Sequence, residues 1–285
     1  MNGQTVQPVL DGAQTALGGW PGLMLASISL CRRELVRFTR QPNRIVGALA
    51  TPLVFWLLIG GGMGASLHLD MPGMRGESYI RFFFPGTLVM ILLFTAIFST
   101  ISIIEDRKEG FLQSVLVAPV RRAAVVLGKV LGGTVLASVQ GLIFLILAPL
   151  VGFHFSVWSF LVAVAFMVVM AFALTSLGFC LAWRMSSTQG FHAIMNLFLM
   201  PMWFLSGALF PVEGAWWGLK WVMRVNPLSY GLTGLRHAMV MADGRGAGLA
   251  GPGMGVSMAV SCAFAVVLYL IASWVANRHT AADLQ

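Results

Sequence analysis

The chain has 285 residues, of which 58% are hydrophobic and only 10% charged, with a formal net charge of +8. A soluble domain covers its surface with roughly 25% charged residues, so this composition excludes an ordinary water-soluble globule and points to an integral membrane protein. Basic residues kept on the inner side of a membrane produce the same positive balance, and nucleic acid is not expected as a partner.

Residues 1–20 are polar and Gly-rich, without a basic stretch ahead of an apolar core, and read as a tail on the inner side rather than a cleaved signal. Residues 21–43 read as an amphipathic helix. Met24, Ile28, Cys31, Leu35 and Phe38 recur at spacings of 3 and 4, with Arg33, Arg37 and Arg40 opposite. Such a helix is expected along the membrane surface, its arginines on anionic lipid headgroups. Residues 44–276 form the membrane domain, with apolar runs at about 45–63, 82–104, 130–153, 158–183, 191–210 and 256–276. Each reaches the ~18 residues that suffice to cross a bilayer. The fold class is therefore all-α, with six transmembrane helices.

Pro85 reads as a helix-start proline, where the missing N–H costs nothing, and residues 68–81 as a solvated loop. In the fifth run, Asn196 reads either as a polar group in a substrate path beside Pro201 or as a hydrogen-bond partner of a neighbouring helix. Residues 211–255 hold Trp216, Trp217, Trp221 and Tyr230 among Lys220, Arg224 and Arg236. A pair of short helices dipping into the outer leaflet and broken at Asn226-Pro227 fits that mixture. Residues 277–285 read as a second tail.

One polar island interrupts the apolar pattern. Between two charge-free runs, Glu105, Asp106, Arg107, Lys108, Glu109, Arg121 and Arg122 gather around Phe111, Leu112, Val115 and Leu116, with Pro119 closing the stripe. The charges suit charge-assisted contacts to a soluble partner, and Phe111 and Leu112 suit a pocket on it. With both termini inside, twelve Lys and Arg, this island's among them, face the cytoplasm, and Arg75, Arg81, Lys220, Arg224, Arg236 and Arg245 are left outside. The five histidines, at 68, 154, 192, 237 and 279, are scattered, and Cys31, Cys180 and Cys262 show no metal or disulfide spacing. No Gly-x-x-x-x-Gly-Lys-Ser/Thr, His-Glu-x-x-His or Gly-x-Ser-x-Gly occurs. The chain is thus expected to have no catalytic, cofactor-binding or metal-binding residues of its own. The predicted spans carry no carboxylate, which disfavours an ion-coupled carrier; energy for any transport would come from another polypeptide. The alternatives are a non-transporting membrane scaffold, which would not stimulate a partner's ATP hydrolysis, and a secondary carrier, which would need none.

Phe84-Pro85-Gly86, then Glu105-Asp106-Arg107-Lys108-Glu109-Gly110, then Leu116-Val117-Ala118-Pro119-Val120-Arg121 resemble the permease subunits of the ABC-2 transporter family. Phe204-Leu205-Ser206-Gly207-Ala208-Leu209-Phe210-Pro211, followed by Asn226-Pro227-Leu228-Ser229-Tyr230-Gly231 and Leu235-Arg236, resembles that family's second signature. The resemblance covers residues 25–276. It implies a homodimeric permease of the bacterial inner membrane that binds two copies of a separate ATPase, which carries the ATP and magnesium. Drugs, polysaccharides or lipid-linked molecules would move outward. By position, 24–40 becomes a connecting helix and 213–241 the re-entrant outer-leaflet helices. Residues 105–122 become a coupling helix, with Glu105, Asp106, Arg107, Glu109, Gly110, Phe111, Leu112, Pro119, Arg121 and Arg122 against the ATPase. The loop 184–190 becomes a second, smaller contact.

Overall fold

The computed structural model describes residues 20–64, 78–112, 114, 121–243 and 251–278, and among them there is no strand. The helices are α1 (Trp20–Thr39), α2 (Pro42–Phe55, continued by a wide turn Trp56–Gly60), α3 (Tyr79–Lys108), α4 (Arg122–Leu145) and α5 (Val157–Ala182). They are followed by α6 (Thr188–Trp203, continued by a wide turn Phe204–Ala208), α7 (Trp217–Val225), α8 (Pro227–Val240) and α9 (Met254–Arg278). Six of them, α2 to α6 with their wide turns and α9, are long and apolar enough to cross a membrane. The most buried is α3, which packs against α2, α4, α5 and α6. Helix α8 fills the groove between α5 and α9.

Boundaries shift where polar residues find partners. The third span begins at Arg122 and ends at Leu145, some eight residues before the predicted 130–153 at each end. Lys129 can sit inside that helix because two carboxylates neutralise it, and Gly152 (φ +84°), after the tight turn Ala148–Val151, ends the run. The second span is also longer than predicted, taking in Glu105 and Asp106, so a carboxylate does lie within a candidate span. Pro85 stands in the interior of α3 rather than at its start. The helix begins at Tyr79, whose ring is buried and whose hydroxyl donates to the Leu209 carbonyl at 2.7 Å. The pair of short helices broken at Asn226-Pro227 is observed: Asn226 Oδ1 accepts from the Leu228 N–H at 3.0 Å, and Pro227 takes the first helical position. Residues 1–19, most of the loop 68–81, Pro119 and residues 279–285 lie outside the described residues.

Helix α1 turns part of each expected face inward. Ser27, Glu34 and Phe38 are buried, Arg33 and Arg37 point into the protein, and Met24, Leu25 and Ile28 are 60% or more exposed. Arg32 and Arg40 are exposed beside these apolar residues, and such a mixture suits the boundary between lipid and water. The approach to α4 is close because Gly128 and Gly132 have no side chains: a Cβ at Gly128 would lie 2.8 Å from the Ser27 carbonyl oxygen, and one at Gly132 2.8 Å from Glu34 Cβ.

At the other end of the bundle the chain breaks a helix and recovers the cost. After Pro201, the turn Phe204–Ala208 contains Gly207 at φ +86°, which releases backbone carbonyls from helical bonding. Side chains take them up. Asn226 Nδ2 donates to Met202 at 2.7 Å, Ser229 Oγ to Leu205 at 3.3 Å, Arg236 Nη2 to Gly207 at 2.7 Å and Tyr79 to Leu209 at 2.7 Å. The two halves of the second signature are therefore the acceptor and donor halves of one contact.

Gly128→Val should push α1 off α4 and cost about 1–3 kcal/mol, the usual range for overpacking. Gly47→Ala, with nothing within 4 Å of the added Cβ, should leave stability unchanged or raise it by up to about 1 kcal/mol. Thermal melting of the purified protein in detergent checks the pair, and equal effects would contradict this packing.

Candidate functional site

The polar island closes the end of α3 opposite the broken helix, about 36 Å along the axis from Phe82 to Asp106 at ~1.5 Å per residue. Three helices bring their charges to it. Helix α3 contributes Ser102, Glu105 and Asp106; α1 contributes Arg33, Glu34 and Arg37; α4 contributes Lys129. Arg44 reaches in from the first turn of α2.

Asp106 is the centre, with 0% exposure. Arg33 grips it in a two-pronged pair, Nη2 to Oδ1 at 2.8 Å and Nη1 to Oδ2 at 3.0 Å. Arg37 and Lys129 also donate to it. Lys129 Nζ bonds Glu34 Oε1 at 2.6 Å and Ser102 Oγ at 3.3 Å, and Arg33 meets Glu34 at 3.3 Å. Arg37 extends to Glu105 at 2.9 Å and Glu109 at 3.2 Å, and Arg44 completes Glu105. Four carboxylates (Glu34, Glu105, Asp106, Glu109) thus meet four cations (Arg33, Arg37, Arg44, Lys129), so the network is neutral overall. The hydrogen bond to Asp106 is the main reason the Arg33 guanidinium is held further into its charged form, outweighing the effect of burial. Arg33 also lies 3.6 Å above the Phe111 ring centroid.

This arrangement redistributes the residues expected to meet a partner. Glu105 and Asp106 are spent inside the chain. Leu112 is 4% exposed and part of the core, and Phe111 lies under Arg33, so neither reaches outward as an anchor. Arg107 donates to the carbonyls of Trp183 and Met185, the latter at 3.3 Å, which ties the end of α3 to the start of the loop 184–190. Arg122 donates to the Asn277 carbonyl at 2.9 Å. Gly110, at φ +74°, is the left-handed cap that ends α3 and turns the chain into the helical residues Phe111 and Leu112. What remains outward is Lys108, Glu109 at 60% side-chain exposure and Arg121, with Arg32 and Arg40 on α1. Arg33 and Arg37, expected on lipid headgroups, serve Asp106 instead; of the three named arginines only Arg40 is exposed.

Glu34, Arg44 and Lys129 were missed from sequence. Glu34 carried a signal, as the one carboxylate in residues 20–64, set among Arg32, Arg33, Arg37 and Arg40. Asn196 and Pro201 make no part of this network, both being exposed on α6. Asn196 sits beside Leu197 (69% exposed) and Phe198 (63%) and makes no hydrogen bond within the described chain.

Removing one partner of a buried ion pair costs about 3–5 kcal/mol, because the other is left uncompensated. Lys129→Met and Glu34→Met should each destabilise strongly, while the double variant should cost clearly less than their sum. A thermal-melting cycle on the four proteins checks this; additivity within about 0.5 kcal/mol would contradict the coupling of these two residues.

The model of the family described as ABC-2 type transporter matches residues 26–240. Nodulation protein J of Sinorhizobium fredii (strain NBRC 101917 / NGR234) is 28% identical over 258 residues, covering 88% of this chain and 93% of that protein. Nodulation protein J of Rhizobium meliloti (strain 1021) is 27% identical over 238 residues, covering 82% and 86%. The transport permease ycf38 of Cyanophora paradoxa is 24% identical over 209 residues, covering 73% and 71%. With its six apolar helices, the chain belongs to the ABC-2 type transporter family, as a membrane-spanning transporter subunit.

Proposed function

We propose that the chain is the permease subunit of an ATP-driven exporter of the bacterial inner membrane, with both termini cytoplasmic. A separate ATPase, bound in two copies to a permease homodimer, hydrolyses ATP and drives an amphipathic or lipid-linked substrate outward. Family membership supports the ATPase partnership. The observation that carries the coupling role is the division of labour in the polar island. Its inner carboxylates bind α3 to α1 and α4, while Lys108, Glu109 and Arg121 face outward beside an open groove lined by Arg32, Arg33, Arg37, Arg40 and Glu109. A partner docked on that rim pushes on the residues that follow Asp106 directly, and Asp106 has no slack. The outward-facing Asn196 amide supports the second permease copy. In hydrocarbon an amide needs a partner, and one supplied by another chain or a watered path meets that need.

Glu109→Lys and Arg121→Glu should leave the protein folded in the membrane and cut co-purification of its ATPase at least about tenfold, the size of one lost charge-assisted contact. Arg122 is the poorer test, since it holds the Asn277 carbonyl. Unchanged co-purification in both variants would sink the coupling role. An intact complex whose ATP hydrolysis never responds to any amphiphile would favour the scaffold, and transport without the ATPase would favour the ion-coupled carrier.

A further inference from the structure

Around α7 the chain builds a polar cavity that the permease reading leaves unused. It encloses about 190 Å³ and is lined by Ser206, Arg224, Ser229, Tyr230, Thr233 and Arg236, among others. Tyr230, Thr233 and Arg236 share one face of α8 at spacings of three, Arg224 comes from α7, and Ser206 from the turn after α6.

Some of these donors are already used. Ser206 Oγ donates to the Trp203 carbonyl at 2.6 Å, Ser229 to Leu205 and Arg236 to Gly207. The Arg224 guanidinium and the Tyr230 and Thr233 hydroxyls make no hydrogen bond among the described residues. Three side chains with unspent donors, one of them cationic, line this small space. That is the chemistry of an oxyanion site. Size narrows the ligand. The cavity holds about six waters at about 30 Å³ each, and it falls below the roughly 300 Å³ at which sites for whole drug-sized ligands begin. It fits a head group, and the rest of the ligand must lie outside.

Room for the remainder exists across α7. Met202, Leu205, Trp221, Val222, Val225 and Pro227 line an open apolar hollow of about 500 Å³. The two spaces are lined by consecutive residues, Leu205 in the hollow and Ser206 in the cavity. Helix α7 shows Arg224 to one and Trp221, Val222 and Val225 to the other.

We propose that α7, α8 and the turn after α6 form a binding site for an anionic amphiphile, its phosphate in the Arg224–Tyr230–Thr233 cavity and its apolar part in the hollow. The purpose of such a site rests on the transporter reading, but its occupancy does not. Binding is therefore measured on the permease alone, where failure of the ATPase partnership has no effect.

The full-length chain is purified into nanodiscs of phosphatidylcholine and titrated with dioctanoyl phosphatidic acid, read by tryptophan fluorescence, to which Trp221 is adjacent. Arg224→Ala should weaken binding about tenfold, Arg224→Lys less, and Tyr230→Phe combined with Thr233→Val severalfold. Lys220→Ala removes the same charge from the same helix but does not line the cavity, and it should change affinity less than twofold. Equal affinity of wild type and Arg224→Ala overturns the site, and an equal loss in Lys220→Ala reduces it to surface charge. Dioctanoylglycerol binding as tightly removes the role of the phosphate. Competition by inorganic phosphate at equal concentration reassigns the cavity to a free anion and overturns the amphiphile.

Discussion

A carboxylate with no exposure to solvent, held by three cations from two other helices, is the constraint on which the charged half of this molecule depends. Asp106 alone would be prohibitive in such a place, since a buried ionised group without partners costs far more than any packing gain. Arg33, Arg37 and Lys129 remove that cost only by being present together, and each then needs its own second partner, found in Glu34, Glu105 and Glu109. The result is a neutral cluster whose value lies in geometry more than in net stability. It dictates where α1 crosses α4, how deep Lys129 can sit in a helix that reads as apolar, and which face of α1 is left for lipid.

The opposite end solves a different problem with the same accounting. A wide turn centred on a left-handed glycine releases carbonyls that hydrocarbon cannot satisfy, and Asn226, Ser229, Arg236 and Tyr79 each cover one. Trp203 adds a bond from its indole N–H to the Gly86 carbonyl at 2.8 Å, tying the turn to α3. Arg236 further rests 4.4 Å from the centroid of the Phe82 ring. Polar residues in this region are therefore largely structural, and the cavity on α8 is defined by the few donors left over.

Much of this architecture was legible in the sequence, and the failures have a common cause. Runs of apolar residues located all six long helices, and the Asn226-Pro227 break was readable because Asn caps and Pro starts a helix. Periodicity set the arginines of α1 apart from its apolar residues, but it could not say that Arg33, Arg37 and Phe38 turn inward while Arg40 and Ile28 stay outside. In water the apolar face is buried; beside lipid the preference is open, and Asp106, distant in sequence, decides it. The same long-range pairing hid Lys129 inside a span and drew Glu105 and Asp106 away from the partner-facing role that their local pattern suggested, while apolar packing took Leu112 into the core. Gly207 looked like one residue of a signature, and its left-handed backbone at φ +86° shows why glycine is needed there.

Helix α3 links the two ends, and its properties limit how they communicate. It is the most buried of the long helices and carries Asp106 at one terminus and Tyr79 and Phe82 at the other, with Gly86 beside the Trp203 indole. Close packing leaves such a rod little freedom to bend. The Pro85 interruption lies near the Tyr79 end and not at its middle. Displacement of the charged end is therefore transmitted mainly as a shift or rotation of the whole helix. The groups that must yield are the weaker ones: the bond from Tyr79 to the Leu209 carbonyl and the bond from Trp203 to the Gly86 carbonyl of α3, each worth about 1 kcal/mol net, against a charged cluster several times costlier to open. A load applied beyond Gly110 thus favours a stiff charged end that moves as a unit and a broken helix that gives way.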